Sequence, residues 1–235
     1  MTSGATFSDL IGAHDEFRTA KHNGVILIGM QCSGKTSLGK ALTEIIKPSP
    51  LFIDTDDYFI RQYTSIADFI DKKKTEASEQ GLPNPHEYAW RSFREEEKHI
   101  LHCVKEQTCT GLSYILSTGG GIVANVQTPE IARSNAKLLR TMGTVFYLTP
   151  ADNLEHAAGV LASRYDSSHQ SSTHRPNQGY EQKTYDRMFA MLSERDGLYR
   201  EAAHHTIVTG DKSPRIIAED IVIKVNEAES ISLSH

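Results

Sequence analysis

The sequence Val25-Ile26-Leu27-Ile28-Gly29-Met30-Gln31-Cys32-Ser33-Gly34-Lys35-Thr36 joins a short apolar run to a glycine-rich loop. The loop, from Gly29 to Thr36, matches the pattern GxxxxGK[ST] without a gap. An unbroken apolar run suits a parallel strand buried on both faces, and the residues after the loop predict a helix over 35–46. A strand, this loop and a helix in that order indicate a phosphate-binding loop. We therefore predict that the chain binds a nucleoside triphosphate.

Each residue type in this loop has a chemical reason. Glycine at 29 and 34 lets the backbone curl, so that successive N–H groups face phosphate oxygens. The N-terminus of the following helix adds its positive end. The pattern assigns Lys35 to the β- and γ-phosphates and the Thr36 hydroxyl to Mg²⁺. The predicted ATP-binding residues of the loop are Gln31, Cys32, Ser33, Gly34, Lys35 and Thr36.

Four more short apolar runs predict the remaining strands, at 51–53, 114–116, 145–148 and 206–208. Helices are expected between them, near 87–105, 129–140, 151–164, 181–202 and 213–227. Strands that alternate with helices indicate an α/β fold in which helices cover both faces of a five-stranded parallel sheet. Such sheets bind ligands at the carboxyl ends of their strands.

Length and composition limit the class of protein. The chain has 235 residues and a formal net charge of −5, which argues against binding to nucleic acid through a basic surface. It contains no long apolar run and no signal peptide, so we expect no membrane partner. The three cysteines lie in no zinc-binding or CxxC spacing, which favours reduced thiols and a cytoplasmic location.

The chain divides into a polar N-terminal extension at 1–22 and a single domain at 23–235. Within that domain, residues 165–180 are rich in Ser, His, Gln and Asn. A polar segment of this length with no predicted structure is often a mobile lid, and we expect one here. Arg175 lies in this lid and could close onto phosphates, although a lone loop arginine is more often simply solvated.

Two acidic residues follow the second predicted strand, Asp54 and Asp56. Carboxylates at this position can hold metal-bound water or orient a hydroxyl for in-line attack. The alternative is that this acidic run caps a helix.

Three further features suggest an acceptor site. Arg94 and Glu97 are three residues apart on one helix and therefore lie on the same face. Glu97 could hold Arg94 in place as a fork for a ligand carboxylate. The alternative is that this charged run is a solvated helix face. The glycines at 119–121 follow the third predicted strand, and glycines there would let a ligand approach the backbone closely. The alternative is a plain turn. Arg195 is a second carboxylate ligand or a surface charge.

Taken together, these motifs resemble the shikimate kinase family from about residue 24 to 225. The resemblance adds to the phosphate loop the motifs Ile53-Asp54-Thr55-Asp56, Ser65-Ile66-Ala67-Asp68, Phe93-Arg94 with Glu97, Gly119-Gly120-Gly121, Arg175-Pro176, and Arg195 with Leu198-Tyr199. A phosphate loop alone is shared by many unrelated enzymes, whereas this ordered combination is specific.

The resemblance implies a nucleoside monophosphate kinase-like fold and transfer of the γ-phosphoryl group of ATP to the 3-hydroxyl of shikimate. It implies that Asp56 holds or deprotonates that hydroxyl, that the segment at about 57–105 binds substrate, and that Mg²⁺ is the cofactor, held by Thr36 and Asp54. We expect a monomer that binds ATP and shikimate. The implied shikimate ligands are Asp56, Arg94, Gly119, Gly120, Gly121 and Arg195. The remaining ATP ligands are Arg175 in the lid and Lys212 in the adenine loop.

The chain departs from the family pattern in three places. About a dozen extra residues lie within 71–90, and Asn177-Gln178 replaces an apolar pair in the lid. An arginine that the family often places near the adenine is absent at Ala157-Ala158, and Arg164 is the candidate substitute.

Two other functions remain open at this stage. A related small-molecule kinase, such as a gluconate or nucleotide kinase, would share the phosphate loop, but the triple glycine and the Phe-Arg-x-x-Glu pattern argue against it. A catalytically silent relative would be expected to lack the chemical residues, and they are all present. The Cys32 thiol lies beside Lys35 and a helix N-terminus, which would favour a lowered pKa. The alternative is a small, inert filler, since most cysteines are not reactive.

Overall fold

The computed structural model describes residues 24–108, 112–169 and 181–232. Its sheet has five parallel strands in the order β2-β3-β1-β4-β5. The strands are β1 (Gly24–Ile28), β2 (Leu51–Asp54), β3 (Tyr114–Ser117), β4 (Thr144–Thr149) and β5 (His205–Val208). The predicted α/β fold with a five-stranded parallel sheet is confirmed.

Eight helices connect and flank these strands in the described ranges. They are α1 (Lys35–Ile45), α2 (Thr55–Tyr63), α3 (Ile66–Glu79), α4 (Pro85–Thr108), α5 (Pro129–Met142), α6 (Leu154–His169), α7 (Gln182–Ala202) and α8 (Pro214–Ser232). Within those ranges, no helix combines the length and the apolar character needed to cross a bilayer.

The central strand β1 is buried on both faces. Val25 and Leu27 pack in one cluster with Leu38 of α1 and with α8. Ile26 and Ile28 belong to a second cluster with side chains of α4 to α7. Successive side chains of a strand point to opposite faces, so an unbroken apolar run is what a strand covered on both sides requires.

The strand register brings the functional loops to one edge of the sheet. In β2 and β3, Asp54 pairs with Ser117, and in β1 and β3, Leu27 also pairs with Ser117. The Thr118 N–H then donates to the Leu27 carbonyl at 3.1 Å. The carboxyl ends of β1, β2 and β3 therefore meet, which places the phosphate loop, the acidic residues and the glycine loop together.

The extra residues at 71–90 lengthen an antiparallel pair of helices rather than a loop. The helix α3 begins at a cap in which the Ser65 hydroxyl accepts from the Asp68 N–H at 3.0 Å, and it continues to Glu79. Only residues 80–84 separate the two helices, since α4 already begins at Pro85.

The structure corrects the start of the predicted lid. Residues 165–169 continue α6, although their composition suggested no regular structure. The Arg187 guanidinium carbon lies over the Tyr165 ring, 4.5 Å from the ring centre. Asp166 is buried. The Asp166 carboxylate accepts from the Glu181 N–H and the Thr184 hydroxyl, both at 2.8 Å. These contacts between α6 and α7 override the local composition.

A close approach of two backbones at Gly143 makes a stability prediction. A Cβ at Gly143 would lie 2.6 Å from the Gly24 carbonyl carbon and 2.8 Å from its Cα, so backbone would have to move. Gly143→Ala should lower the free energy of unfolding by about 1–3 kcal/mol, as overpacking does. Urea unfolding measures the change.

Gly197→Ala is the matched control for this prediction. Gly197 lies inside α7, and a Cβ there would meet no atom within 4 Å. Alanine in a helix interior is more stable than glycine by about 0.5–1 kcal/mol, so the control should gain stability. A Gly143→Ala variant as stable as the parent would contradict the packing described here.

Candidate active site

The phosphate loop needs glycine at two positions for different reasons. At Gly29, φ is +142° and a Cβ would lie 2.6 Å from the Leu148 carbonyl oxygen. At Gly34, φ is +95° and a Cβ would meet nothing, so conformation alone favours glycine at the start of α1. The loop thus turns back over the end of β1 and leads directly into α1.

Lys35 holds the loop closed. Its ammonium group donates to the carbonyl oxygens of Gly29 at 2.9 Å and Met30 at 2.8 Å. The side chain is buried, and desolvation lowers its pKa, while the charges of Asp56 and Asp54 oppose that shift. A buried cation held only by neutral carbonyls is a ready partner for a phosphate oxygen.

Asp54 caps a helix and also contacts the phosphate loop. It is the N-cap of α2, since its Oδ1 accepts from the Asp56 N–H at 3.0 Å. Its Oδ2 accepts from the Thr36 hydroxyl at 2.9 Å. A hydroxyl and a carboxylate side by side beside the phosphate loop are oxygen ligands of the kind that Mg²⁺ takes, the rest coming from phosphates and water. The residues present therefore fit a nucleotide-bound Mg²⁺.

Those ligands do not form a complete metal cage. Across the described ranges, no group of three or more His, Cys, Asp and Glu side chains could hold a metal ion. A divalent ion at Thr36 and Asp54 would therefore depend on the nucleotide for its remaining ligands.

Asp56 lines a cavity beside the phosphate loop. Desolvation by the surrounding walls and the negative charge of Asp54 raise the pKa of the Asp56 carboxyl. Lys35 and Arg94 act in the opposite direction without cancelling the shift. A carboxylate with a raised pKa is a better proton acceptor than an ordinary surface aspartate.

The cavity has a volume of about 520 Å³, within the range of small-molecule sites. The structure brings most of the predicted nucleotide and metal ligands to its walls: Gln31, Cys32, Ser33, Gly34, Lys35, Thr36, Asp54 and Lys212. Asp56, the predicted acceptor ligand, lies at the same walls. The Lys212 ammonium is paired with the Asp220 carboxylate at 2.9 Å. Lys212 is therefore present at the wall but already has a partner.

Arg94 and Glu97 form a buried ion pair rather than a solvated face. Arg94 Nη1 donates to Glu97 Oε2 at 2.5 Å. The guanidinium lies over the rings of Phe93 and Trp90, at 5.0 and 5.7 Å. Its Nε is buried with no hydrogen-bond partner among the described residues. Nη1 therefore has a partner and Nε has none, so a ligand carboxylate could accept from Nε.

The glycine loop lies between these acidic and basic groups. A Cβ at Gly119 would lie 2.8 Å from Asp56 Oδ1 and 3.0 Å from Glu97 Oε1. A Cβ at Gly121 would overlap the Arg94 guanidinium, 2.5 Å from its Cζ. Side chains at these positions would displace Asp56, Glu97 or Arg94, so glycine lets the loop pack directly against these groups.

Two residues that sequence reasoning missed hold this loop in place. The Gly119 N–H donates to the Thr55 hydroxyl at 2.9 Å, and the Tyr199 hydroxyl donates to the Gly120 carbonyl. Burial raises the pKa of Tyr199 to about 12, so it stays a neutral donor. Thr55 lies inside the quoted Asp-Thr-Asp motif, and Tyr199 follows Arg195 by one helical turn, but neither pattern reveals its partner.

Arg195 lies next to this cluster, one turn before Tyr199 on α7. It is half-buried, and its charge lowers the pKa of both Tyr199 and Glu97 against the larger effect of burial. The structure therefore brings Arg195 to the same region as Arg94. Arg175, predicted to close over ATP, lies outside the described residues.

Arg164, the candidate substitute for the arginine absent at Ala157-Ala158, lies at the cavity. Both alanines are fully buried in the core, whereas Arg164 lines the cavity. Its guanidinium donates to the carbonyls of Cys32 at 3.4 Å and Gly210 at 3.5 Å. It thus links the phosphate loop to the loop that carries Lys212.

The prediction of a lowered Cys32 pKa is wrong. Lys35 and Arg164 do favour the thiolate, but desolvation of the partly buried thiol is larger and raises its pKa. The thiolate is the reactive form, so Cys32 should be alkylated by iodoacetamide at pH 7 more slowly than cysteine in a short peptide. Mass spectrometry of the modified chain gives the rate, and the urea-unfolded chain is the control. Alkylation faster than in the peptide would contradict this.

A family model described as shikimate kinase matches residues 85–226, which span α4 to most of α8. Among curated relatives, shikimate kinase 2 of Serratia proteamaculans is 30% identical over 201 residues, covering 84% of this chain and 92% of that protein. Shikimate kinase 2 of Photorhabdus laumondii is 31% identical over 196 residues, covering 82% and 90%.

Solved structures share the fold. The shikimate kinase of Acinetobacter baumannii in complex with shikimate superposes with a TM-score of 0.60 at 22% identity, over 92% of this chain and 98% of that one. The shikimate kinase of Aquifex aeolicus gives a TM-score of 0.58 at 21% identity, over 87% and 97%. The architecture around the cavity is therefore shared over nearly the whole length of those chains.

Proposed function

Because the chain belongs to the shikimate kinase family, we propose that it transfers the γ-phosphoryl group of ATP to the 3-hydroxyl of shikimate. One observation carries the proposal. Asp56 faces the cavity that holds Lys35, and the same carboxylate reaches the glycine loop beside the Arg94–Glu97 pair. A hydroxyl held at Asp56 would lie between a phosphate site and a carboxylate site.

On the nucleotide side, the chain supplies positive charge and backbone donors. The phosphates of ATP would take over the Lys35 ammonium from the carbonyls of Gly29 and Met30. Mg²⁺ bound at Thr36 and Asp54 would supply charge neutralisation at the phosphate oxygens. Arg164 supports this side by linking the phosphate loop to Gly210.

On the acceptor side, Asp56 accepts the hydrogen of the attacking hydroxyl. As the hydroxyl oxygen bonds to the γ-phosphorus, the bond from that phosphorus to the β,γ-bridging oxygen breaks and ADP leaves. The proton moves from the hydroxyl to the Asp56 carboxylate. The raised pKa of Asp56 supports this role, since it brings the basicity of the group closer to neutral pH.

The carboxylate of the acceptor is recognised by Arg94. Glu97 accepts from Nη1 of the guanidinium, which helps to hold the group in place and leaves Nε free to donate. Arg195 adds a second positive charge from α7, and the glycine loop at 119–121, which packs against Asp56 and Arg94, would lie beside the acceptor ring.

We assign these roles to one kinase domain at 23–235 that acts as a monomer, with 57–105 as the acceptor-binding segment. The side chains given roles above all lie within this domain.

An enzyme-linked assay of ADP release tests the acceptor. Purified chain is supplied with ATP, Mg²⁺ and shikimate, with gluconate in place of shikimate, or with no acceptor. We expect release that depends on shikimate and stays near the no-acceptor rate with gluconate. Turnover with gluconate instead, or no turnover with any acceptor, would contradict the proposed function.

A further inference from the structure

The structure has a second cavity, separate from the one at the phosphate loop. It has a volume of about 560 Å³ and lies between α5, α7 and the segment 123–126 that follows the glycine loop. None of its lining residues belongs to the cavity at the phosphate loop. Its size is that of a small-molecule site, and the proposed function leaves it unused.

The floor of this second cavity is apolar. It is formed by Val123, Ala132, Ala136 and Leu198, and Val126 at the mouth is 51% exposed. Small alanines on the facing turns of α5 leave the space that larger side chains would fill. An exposed valine at the edge of an apolar hollow adds to the area that a ligand would cover.

The rim is positively charged. Arg133, Lys137 and Arg140 recur along one side of α5, and Glu201 is the carboxylate opposite them. Arg140 is already used, since its Nη1 donates to the carbonyls of residues 201–203 at the end of α7. Arg133 and Lys137 are exposed and make no hydrogen bond or ion pair with any described residue.

Asn125 adds a neutral donor inside the second cavity. Its side chain is 7% exposed, and its Oδ1 accepts from the Gln127 N–H at 2.9 Å. The amide nitrogen makes no hydrogen bond with the residues that the structure describes, and it is not among the buried unpartnered atoms. An amide donor that reaches the cavity can donate to water or to a ligand there.

We propose that this cavity binds a small organic anion, with a carboxylate at Arg133, Lys137 and the Asn125 amide and an apolar ring on the floor between α5 and α7. A peptide or a second protein would need a broader contact area than one enclosed hollow of this size. The charges favour an anion because three cations face a single carboxylate.

Calorimetric titration with 2-naphthoate tests the proposal, with 2-naphthamide as the neutral ligand of the same shape. Shikimate and a non-hydrolysable ATP analogue are present in excess, to fill the substrate site. We expect saturable binding of one naphthoate per chain, and naphthamide at least about tenfold weaker, because charge-assisted hydrogen bonds are lost.

Variants locate the bound naphthoate independently of turnover. Arg133→Glu with Lys137→Glu changes only exposed side chains and should weaken binding at least about tenfold. Ala136→Phe fills the floor and should do the same. Lys40→Glu with Lys224→Glu, on helices of the opposite sheet face, makes the same change in net charge and should leave binding unchanged.

Two results would overturn the proposal. One is the absence of saturable binding by the parent chain, or equal binding by the Arg133→Glu, Lys137→Glu variant. The other is a dimer in sedimentation velocity that this charge reversal dissociates, which would assign the face to a second copy of the chain.

Discussion

Asp56→Asn is expected to lower kcat by about 10²-fold or more, the usual range for loss of a general base. The amide keeps the size of the carboxylate and can still accept a hydrogen bond, but it cannot take the proton. Binding of both substrates should therefore change little. The measurement is the steady-state rate with shikimate and ATP each varied.

The same variant should be more stable than the parent at neutral pH. The pKa of Asp56 is raised in the folded chain, so folding disfavours its ionised form. This cost is absent below the unfolded pKa of about 4 and grows as pH rises towards the folded pKa. Asparagine never ionises and avoids the cost, so thermal unfolding at pH 7 should occur at a higher temperature.

Asp57→Asn is the matched control for Asp56. Asp57 is the next residue of α2, and it lies outside the cavity wall. Its substitution should leave kcat within about twofold of the parent, as expected for a surface carboxylate. Near-normal turnover by Asp56→Asn, or an equal loss in both variants, would remove Asp56 from the role of base.

Arg94→Lys should weaken shikimate binding by about 1.5–3 kcal/mol, the range for hydrogen bonds to charged groups. The guanidinium serves Glu97 through Nη1 and keeps Nε for a ligand, whereas an ammonium is a point charge without this two-sided geometry. Lysine retains the positive charge that buried Glu97 requires. The KM for shikimate should therefore rise while the KM for ATP stays the same.

Arg91→Lys is the control on the same helix. Arg91 is exposed and pairs with Glu95 and Glu130 at the surface, so its substitution should change neither KM. If Arg94→Lys weakened both substrates equally, the result would indicate damage to the fold rather than loss of a carboxylate ligand.

Most of the sheet and the phosphate loop could be predicted because their causes are local in sequence. The run of Val25 to Ile28 needs a strand buried on both faces, and the glycines of the loop carry their own conformational reason. The three-residue spacing of Arg94 and Glu97 also predicted their pairing, since helix geometry alone brings such side chains together.

Features that depend on distant contacts could not be read in this way. The hydrogen bonds of Thr55 and Tyr199 to the glycine loop join residues 64 and 79 positions apart. The helical start of the predicted lid depends on Asp166 bonding to α7. The predicted lowering of the Cys32 pKa is wrong because burial raises that pKa by more than the nearby positive charges lower it. The sequence does not display this burial.

The central claim is that this site joins phosphate from ATP to one particular hydroxyl of shikimate. The most direct test is to incubate the chain with ATP, Mg²⁺ and shikimate and to identify the product by phosphorus and proton NMR. We expect shikimate 3-phosphate, formed in an amount equal to that of ADP. Phosphate on a different hydroxyl, or free phosphate with unchanged shikimate, would contradict it.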